Sequence, residues 1–532
     1  MRCGTKFIVV TGGVLSGLGK GLFISSLGKL LQSKGYKVIP IKIDPYMNVD
    51  AGTMNPIEHG EVFVLNDGSE VDMDLGNYER FLGMDLTSES NITTGKIYRK
   101  VIEKERRGDY LGKTVQLIPH LTQELKIWYK KLAEKTNSNI VLIEIGGTVG
   151  DIENQIFLES VRELSFEEDV FFIHCTLVPV LKVVGEQKTK PTQQSVRMLR
   201  EMGIFPNMIF CRSNNPLLDN IKKKISKFCG IDEKYIISGP DLNNIYRIPL
   251  VLEEQKVAEK VLRGLNLDQK VKDMEDWKKF VHNMDNPKKN LKIAITGKYT
   301  YLHDSYVSIL EALKHASGNL SCSIELEWIE TTDIEEGRLD AEEALKDVDG
   351  IIVPGGFGSR GAEGKIQCIK YVRENNIPFL GLCYGFQLAV IEYARNICGL
   401  KDANSTEINP DTPYPVIDIL PEQKNINEKG ATMRLGAYPA VLKKNSVVGK
   451  LYGSEKISER HRHRYEVNPE YIKTLEENGL LFSGVSPNRK LMEFLEIPNH
   501  KFFVATQAHP EFTSRLLKPN PLFLGFVKAC LN

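Results

Sequence analysis

Lys6-Phe-Ile-Val-Val-Thr-Gly12 and Leu291-Lys-Ile-Ala-Ile-Thr-Gly297 are the two stretches that decide the fold. Each is a short apolar run, rich in β-branched residues, that ends in glycine and precedes a segment with helical periodicity. A buried strand that turns through glycine into a helix is the usual beginning of a parallel α/β sheet. The sequence therefore predicts two α/β domains, one opening at each stretch.

Further apolar runs of strand length follow both openings, as expected of strands buried on both faces of a sheet. They cover 37–43, 139–145, 170–178 and 207–211 in the first half, and 350–354, 378–382 and 502–506 in the second. Between the halves, 268–290 is rich in charge and suggests a linker with one short amphipathic helix around Trp277 and Phe280. We predict domains at 1–267 and 291–532.

The composition is that of a globular protein with no global preference for polyanions. The 532 residues are 42% apolar and 26% charged, and Lys+Arg and Asp+Glu both number 69. Nine scattered cysteines without a C-x-x-C pair predict reduced thiols rather than a disulfide scaffold or a zinc site. The most apolar stretch, 170–184, is short and contains His174 and Lys182, and no signal peptide is recognisable. We expect a cytoplasmic protein with no membrane span.

A glycine-rich loop follows the first strand, in Thr11-Gly-Gly-Val-Leu-Ser-Gly-Leu-Gly-Lys20-Gly21, and helical periodicity follows over 22–33. Such a loop turns backbone N–H groups toward a phosphate, and the helix N-terminus adds positive potential. Val14 and Gly21 depart from the usual G-x-x-x-x-G-K-[ST] pattern. On the motif alone, a glycine-rich turn with an incidental lysine stays open.

The hydroxyl missing at Gly21 requires carboxylates elsewhere if the loop binds ATP with Mg²⁺. Asp74 follows a strand and a turn, and Glu144 ends the buried run at 140–145, at the edge where α/β sheets bind ligands. A buried carboxylate needs a partner, and Mg²⁺ bridging ATP oxygens is a suitable one. For Asp74 alone, a solvated turn acid is an equal alternative.

A second phosphate-binding surface is suggested by Glu186-Gln-Lys188-Thr-Lys190-Pro-Thr192-Gln193, with added charge from Lys222-Lys-Lys224. Two lysines beside a threonine, stiffened by Pro191, could clasp another triphosphate. Composition alone favours a solvated run of charges.

The first half resembles the amidoligase domain of the CTP synthase family. The motifs that carry the resemblance are Lys42-Ile-Asp-Pro-Tyr-Met-Asn-Val-Asp50, His59-Gly-Glu-Val-Phe63, Asn77-Tyr-Glu-Arg-Phe81, Glu105-Arg-Arg-Gly-Asp-Tyr-Leu-Gly112, Glu144-Ile-Gly-Gly-Thr-Val-Gly-Asp151 and Lys188-Thr-Lys-Pro-Thr-Gln193. The resemblance extends from about residue 6 to about 530, and the loop in this family also lacks the hydroxyl after its lysine.

The resemblance implies a set of ligand contacts in the first half. ATP would be bound by Ser16, Gly17, Leu18, Gly19, Lys20, Gly21, Lys42, Asp74 and Asp241, and Mg²⁺ by Asp74 and Glu144. UTP or the product CTP would contact Ser16, Asp151, Ile152, Glu153, Lys188, Thr189, Lys190, Pro191, Thr192, Gln193 and Lys224. His59 corresponds to a residue of the ammonia passage.

A cysteine lies on a strand-to-helix corner in Ile377-Pro-Phe-Leu-Gly-Leu-Cys383-Tyr-Gly-Phe-Gln387. The helix N-terminus favours its thiolate, and His509 with Glu511 follows another apolar run. A lone cysteine is usually an inert core residue, but the corner and the His-Pro-Glu motif together indicate acyl transfer through a thioester.

This half resembles class I glutamine amidotransferases, with Val353-Pro-Gly-Gly-Phe-Gly358 matching their oxyanion strand. The resemblance implies a catalytic triad of Cys383, His509 and Glu511. Phe386 replaces the commoner methionine and alters only the packing of the pocket wall. Glutamine would be bound by Gly356, Tyr384, Gly385, Phe386, Gln387, Glu407 and Arg464.

Two segments of the second half have weaker interpretations. The basic run Glu459-Arg-His-Arg-His-Arg464 could suggest nucleic acid, but no aromatic residues interleave it, and the family places it at the glutamine site. The segment 428–436, with Arg434, resembles a lid through which GTP activates this family. Arg360 would lie near it.

The resemblance as a whole implies a ligase that uses ATP to aminate UTP at C4 with ammonia from glutamine. GTP would activate the enzyme, CTP would inhibit it by feedback, and the chain would form homotetramers; whether filaments form stays open. We expect neither nucleic acid nor membrane as a partner. Two alternatives are a glutamine-fed synthetase with another acceptor and a mainly structural, filament-forming protein.

Overall fold

The computed structural model describes residues 4–54, 60–181, 185–269, 274–297, 303–419 and 433–532. The chain divides into two compact units. The first comprises Met1–Ala51 and Asp74–Lys278, and the second comprises Gly52–Met73 and Lys279–Asn532. The segment Gly52–Met73 thus packs with the second unit, although the sequence assigns it to the domain predicted at 1–267.

The first unit is built on a seven-stranded, all-parallel sheet in the order β11-β10-β7-β1-β6-β2-β5. The strands of this half of the chain are β1 (Lys6–Gly12), β2 (Val38–Asp44), β3 (Phe63–Val64), β4 (Glu70–Val71), β5 (Asn91–Thr93), β6 (Ile140–Ile145), β7 (Val170–Leu177), β8 (Val180–Leu181), β9 (Glu186–Gln187), β10 (Met208–Ser213) and β11 (Ile236–Pro240). The short β3–β4 hairpin lies in the segment that packs with the second unit.

Helices cover both faces of this sheet, as the buried strands require. Their bounds are Lys20–Ser33, Met73–Leu82, Thr94–Arg106, Thr122–Thr136, Gln155–Glu167, Lys190–Glu201, Asp219–Cys229, Ile248–Glu254, Val257–Gly264 and Glu275–Asp285, with single turns at Ser88–Ser90, Leu117–Leu121, Ile152–Asn154, Glu233–Tyr235 and Ile245–Arg247. The last helix begins in the predicted linker and buries Trp277 against Phe81 and Tyr246.

The second unit is built on a nine-stranded mixed sheet in the order β13-β12-β14-β15-β23-β22-β21-β18-β19, beside a small sheet of β16-β17-β20. The strands are β12 (Lys289–Gly297), β13 (Cys322–Glu330), β14 (Gly350–Val353), β15 (Phe379–Leu382), β16 (Ala403–Ser405), β17 (Tyr414–Ile419), β18 (Arg434–Leu442), β19 (Lys456–His463), β20 (Tyr465–Val467), β21 (Leu481–Val485), β22 (Met492–Glu496) and β23 (Phe503–Thr506). The five strands from β13 to β23 are parallel, and the remaining four join antiparallel.

The helices of this unit are Val307–Leu320, Thr331–Glu335, Ala341–Leu345, Ala362–Glu374, Tyr384–Asn396, Val447–Tyr452, Pro469–Glu477 and Pro521–Leu531, with single turns at His303–Tyr306 and Pro510–Phe512. Among the helices of the described residues, none has both the length and the apolarity that crossing a bilayer requires.

The predicted α/β fold class is confirmed. Both opening stretches form strands, β1 and β12, and the further runs form β2, β6, β7 and β10 and then β14, β15 and β23, each within two residues of its predicted bounds. The helix predicted over 22–33 begins two residues earlier, at Lys20.

Gly385 fixes how closely the helix Tyr384–Asn396 approaches β14. A Cβ atom at this position would lie 2.1 Å from the carbonyl oxygen of Val353, which belongs to rigid backbone. We therefore expect Gly385→Ala to destabilise the second unit by about 1–3 kcal/mol, the usual cost of overpacking. Urea unfolding checks this, with Gln367→Ala on an exposed helix face as control. Equal midpoints for both variants would contradict the packing argument.

Candidate functional site

The glycine-rich loop joins β1 to the helix Lys20–Ser33 through left-handed backbone. Gly17 and Gly19 have φ of 74° and 78°, and Val14 has a φ of 81°, which is unusual for a β-branched residue. Lys20 is buried and its Nζ donates to the carbonyl of Gly147 at 3.0 Å. The loop thus leaves the helix N-terminus open while Lys20 folds back over the strand ends.

Lys42 connects two acidic groups at the carboxyl edge of the first sheet. Its Nζ lies 3.0 Å from Glu144 Oε1 and also contacts Asp74. Glu144 is buried in β6, beside Lys42 of β2 in the sheet register, and accepts a hydrogen bond from the Tyr78 hydroxyl. Burial opposes ionisation of Asp74, but the charges of Lys42 and Lys20 outweigh it and lower its pKa. The same burial, with Glu144 nearby, holds the pKa of Tyr78 well above its usual value.

Asp74 and Glu144 suit a hard divalent cation, although they do not form a complete binding site. Both carboxylates contact Lys42 Nζ, so their oxygens lie close to one another. The lowered pKa of Asp74 keeps its carboxylate charged. Within the described ranges, no cluster of three or more His, Cys, Asp or Glu residues could hold a metal. A Mg²⁺ ion here would therefore need ligands from phosphate oxygens, which is how Mg²⁺ is usually held beside a nucleotide.

A buried histidine that the sequence did not single out lies beside the loop. His174 of β7 lies between Thr11 and Ser195, with Nδ1 2.8 Å from Thr11 Oγ1 and Nε2 2.6 Å from Ser195 Oγ. A Cβ atom on Gly13 would overlap Ser195 Oγ, so the loop packs directly on the helix Lys190–Glu201. The apolar run around His174 gave no signal of this contact.

The residues assigned to UTP follow β6 and β7 in the chain. Ile152 and Glu153 are exposed in the turn after β6, and Asp151 Oδ2 accepts from the N–H of Thr148 at 2.7 Å. Around the start of the helix Lys190–Glu201, Thr192 and Gln193 bond to Leu177 and Thr189, while Lys188 pairs with Glu186. Pro191 lies in its first turn, and Lys190 and Lys224 are exposed. Asp241, which was assigned to ATP, accepts from Arg212 and Asn214.

Cys383 lies at the strained corner between β15 and the helix Tyr384–Asn396. Its φ of 49° and ψ of −96° place it outside the usual regions, as its position on a tight elbow requires. Its N–H donates to the Thr506 carbonyl at 2.8 Å, and its Sγ lies 3.8 Å from both Arg462 O and Gln507 Nε2. These contacts fix the thiol at the N-terminus of the helix.

His509 and Glu511 form the second part of this site. His509 Nδ1 lies 2.7 Å from Glu511 Oε1, and a Cβ atom on Gly355 would touch both His509 and Cys383. Burial disfavours the imidazolium, but Glu511 and Cys383 outweigh it and raise the pKa of His509 to about 10. Within the described chain, His509 Nε2 has no hydrogen-bond partner and remains available for one.

Several of the residues assigned to glutamine lie in, or bond to, the helix that begins after Cys383. Tyr384 OH donates to the Gly358 carbonyl at 2.6 Å, and the Gly358 N–H donates to Glu407 Oε1 at 3.0 Å. Gln387 Nε2 donates to the Tyr465 carbonyl at 3.1 Å. The remaining members are buried Gly385 and Phe386, half-buried Arg464, and Gly356 in the loop after β14.

The basic run 459–464 does not form a basic surface, because most of its side chains in β19 are buried. Arg460, His461 and His463 of β19 are buried. Arg434 of β18 bonds to Glu493 Oε1 at 2.6 Å and to Glu466 at 3.3 Å, and burial raises the pKa of Glu466 to about 8. Burial lowers the pKa of His461 and of His463 well below the usual value of a histidine.

Two predicted regions fall outside the described residues. They are His59 and positions 428–432 of the predicted lid. Two further residues were predicted to take part in activation by GTP. Arg434 bonds to Glu493 and Glu466, and Arg360 Nε lies 3.4 Å from Thr332 Oγ1.

Comparisons with known proteins assign both parts of the chain. Residues 6–267 match the family described as CTP synthase N-terminus, and 301–529 match glutamine amidotransferase class-I. A CTP synthase of Archaeoglobus fulgidus is 55% identical over 530 residues, which is 99% of this chain and 98% of the relative. One of Sulfolobus acidocaldarius is 55% identical over 525 residues, 98% and 99% of the two. The solved Trypanosoma brucei CTPS glutaminase domain with bound acivicin is 38% identical, covers 45% of this chain and 94% of that chain, and has a TM-score of 0.42.

The buried His174 predicts a loss of stability in acid. Burial, with Lys20 nearby, lowers its pKa to about 3, so the unfolded chain binds more protons between that pH and about 6.5. The free energy of unfolding should therefore fall by up to about 1.4 kcal/mol per pH unit as the pH drops through this window. His174→Asn should show a shallower acid slope in urea unfolding, whereas His282→Gln at an exposed position should not. An unchanged slope in His174→Asn would contradict the prediction.

Proposed function

This chain belongs to the CTP synthase family, and we propose that its two units divide one ligase reaction between them. The family reaction is the ATP-dependent amination of UTP to CTP with nitrogen from glutamine, a step of pyrimidine biosynthesis. One chain contains both a cysteine at a tight turn near a histidine and a glycine-rich loop near two carboxylates. This observation supports the proposed division.

In the second unit, Cys383 is the nucleophile. The thiolate attacks the carboxamide carbon of glutamine, a C–S bond forms, and the C–N bond breaks as His509 gives a proton to the departing ammonia. Water, deprotonated by His509, then hydrolyses the thioester to glutamate. Glu511 holds the imidazole orientation through the 2.7 Å contact with Nδ1. Backbone N–H groups near Gly356 and Tyr384 stabilise the oxyanion.

In the first unit, the C4 oxygen of UTP attacks the γ-phosphorus of ATP, and ADP departs. Ammonia adds to C4, and phosphate and a proton are lost, leaving CTP. The loop N–H groups with Lys20 and Lys42 hold the transferring phosphoryl group, since such reactions depend on position and electrostatics. Mg²⁺, when bound by Asp74 and Glu144, neutralises charge on the phosphate oxygens.

Ammonia has to stay unprotonated between its release and its use. Free ammonia is mostly protonated at neutral pH and is then no nucleophile. Transfer inside the protein protects it from water, and His59 belongs to this passage in the proposal. This requirement gives a physical reason for one polypeptide to contain both sites.

Two nucleotides regulate the enzyme, and the chain assembles into an oligomer. GTP activates through the segment 428–436 and Arg360, CTP inhibits at the UTP site, and the chain works as a cytoplasmic homotetramer. The family resemblance supports these assignments. An acceptor screen that follows ADP release with UTP, XMP and small acids tests the substrate, because only UTP should stimulate release.

Cys383→Ala should separate the two nitrogen sources. Without the thiol no thioester forms, so glutamine-dependent CTP synthesis should fall by about 10³-fold or more, as for loss of a catalytic nucleophile. Synthesis from added ammonium should persist, because the first unit is untouched. CTP absorbance measures both rates, and Cys398→Ala, a half-buried thiol of the same unit, is the control. Retained glutamine-dependent synthesis would refute the nucleophile.

Lys20→Ala should abolish synthesis with either nitrogen source. Removal of a cation that stabilises a transferring phosphoryl group typically costs about 10²-fold or more. Lys37→Ala is the matched control, because this exposed lysine precedes β2 at the opposite edge of the sheet. Intact ammonium-dependent turnover in Lys20→Ala would show that the loop is not the phosphate site.

A further inference from the structure

The β3–β4 hairpin is encoded in the first half of the chain but folds in the second unit. It lies within the residues that match the CTP synthase N-terminus, and its segment Gly52–Met73 groups with the amidotransferase. It contacts β19 at two arginines, and its Asn66 carbonyl accepts from the Ala437 N–H of β18 at 2.9 Å. The family resemblance places the run 459–464 at the glutamine site but implies no role for the hairpin.

Among the strands of the described residues, β19 occupies the edge of its sheet and pairs with β18 alone. An edge strand lacks the second row of backbone hydrogen bonds that would fix its position, so other contacts have to hold it. Because side chains two residues apart point to the same face of a strand, Arg460 and Arg462 share one face and His461 and His463 the other.

The hairpin holds the face of β19 that carries Arg460 and Arg462. Arg460 donates from Nε to Asn66 Oδ1 at 2.6 Å and from Nη1 to the Val64 carbonyl at 3.0 Å. Arg462 Nε lies 2.7 Å from Glu70 Oε1. Arg460 is fully buried and its guanidinium also lies 5.4 Å from the ring centroid of Phe63. A buried guanidinium with several partners allows little movement, because each lost partner would leave a desolvated donor.

The backbone of the same two arginines contacts the triad. The Arg460 carbonyl accepts from the His509 N–H at 2.7 Å, and the Arg462 carbonyl lies 3.8 Å from Cys383 Sγ. Both carbonyls point to the same side of the strand, as expected two residues apart. Phe63 also packs on Phe512, next to Glu511, with ring centroids 5.1 Å apart.

We propose that the β3–β4 hairpin is a positioning element of the glutamine-hydrolysing site, acting through Arg460 and Arg462. The side chain of each arginine contacts the hairpin, and the backbone carbonyl of the same arginine contacts a residue of the triad. The hairpin therefore fixes the distance between the thiol and the imidazole without touching the substrate. This inference rests on the proposed roles of Cys383 and His509.

Glu70→Gln tests the proposal, because it keeps the shape of the side chain and removes the charge that holds Arg462. The turnover number for glutamine hydrolysis should fall about tenfold or more, as expected when reacting groups are displaced by a fraction of an ångström. The KM for glutamine should change by less than about threefold, since an interaction that acts only in the transition state lowers kcat. Ammonium-dependent CTP synthesis in the same preparation should stay within about twofold of the original protein.

Asn66→Ala provides a second variant at an exposed position and should lower the same turnover number through Arg460. Glu476→Gln is the matched control, because it breaks an exposed ion pair with Lys443 in the same unit. A double-mutant cycle of Glu70→Gln with Arg462→Gln should be non-additive, since both changes break one contact.

The outcomes separate this inference from the proposed function. Unchanged hydrolysis in Glu70→Gln and Asn66→Ala, a change in KM alone, or an additive cycle would overturn the role of the hairpin. An equal loss of hydrolysis and ammonium-dependent synthesis would also overturn it, because the hairpin would then only maintain the fold. Retained hydrolysis in Cys383→Ala would instead sink the proposed function.

Discussion

The structure depends on the contacts between positive and negative side chains at the carboxyl edge of the first parallel sheet. Parallel strands end at one edge, so Lys42 and Glu144, a hundred residues apart in sequence, become neighbours there. Lys42 contacts both Glu144 and Asp74, and removing one partner of such a buried pair typically costs about 3–5 kcal/mol. In the proposed function, these charges, already held in fixed positions, receive the charged nucleotide.

The second unit also has candidate functional residues at the carboxyl edge of parallel strands, but there the chemistry depends on a thiol. There the strand β15 is followed by a cysteine with positive φ, and β23 leads to a histidine and its carboxylate. Small residues make the corner possible: Gly385 approaches β14, and Gly355 leaves room between the thiol and the imidazole. The edge of the first sheet relies on paired charges. The edge of the second sheet relies on close packing, which is why glycine is so frequent around Cys383.

Much of this architecture could be predicted from the sequence, because buried strands and glycine turns are local patterns. The strands, the helix after the loop and the thiol corner follow from runs of a few residues. Contacts between distant residues could not be predicted in this way. The charges of 459–464 alone could suggest nucleic acid, and nothing in the run showed that Arg460 is buried beside a hairpin almost four hundred residues earlier in the chain. His174 lies in an apolar run, and only the fold brings Thr11 and Ser195 to it.

The most direct test of the account follows the fate of the uracil oxygen. UTP labelled with ¹⁸O at O4 is incubated with ATP and ammonium, and the inorganic phosphate is analysed by mass spectrometry. If the first unit phosphorylates O4 before ammonia adds, each CTP formed releases one phosphate that contains ¹⁸O. Unlabelled phosphate formed together with CTP would contradict the account, because the oxygen would then have left C4 without transfer of the γ-phosphoryl group.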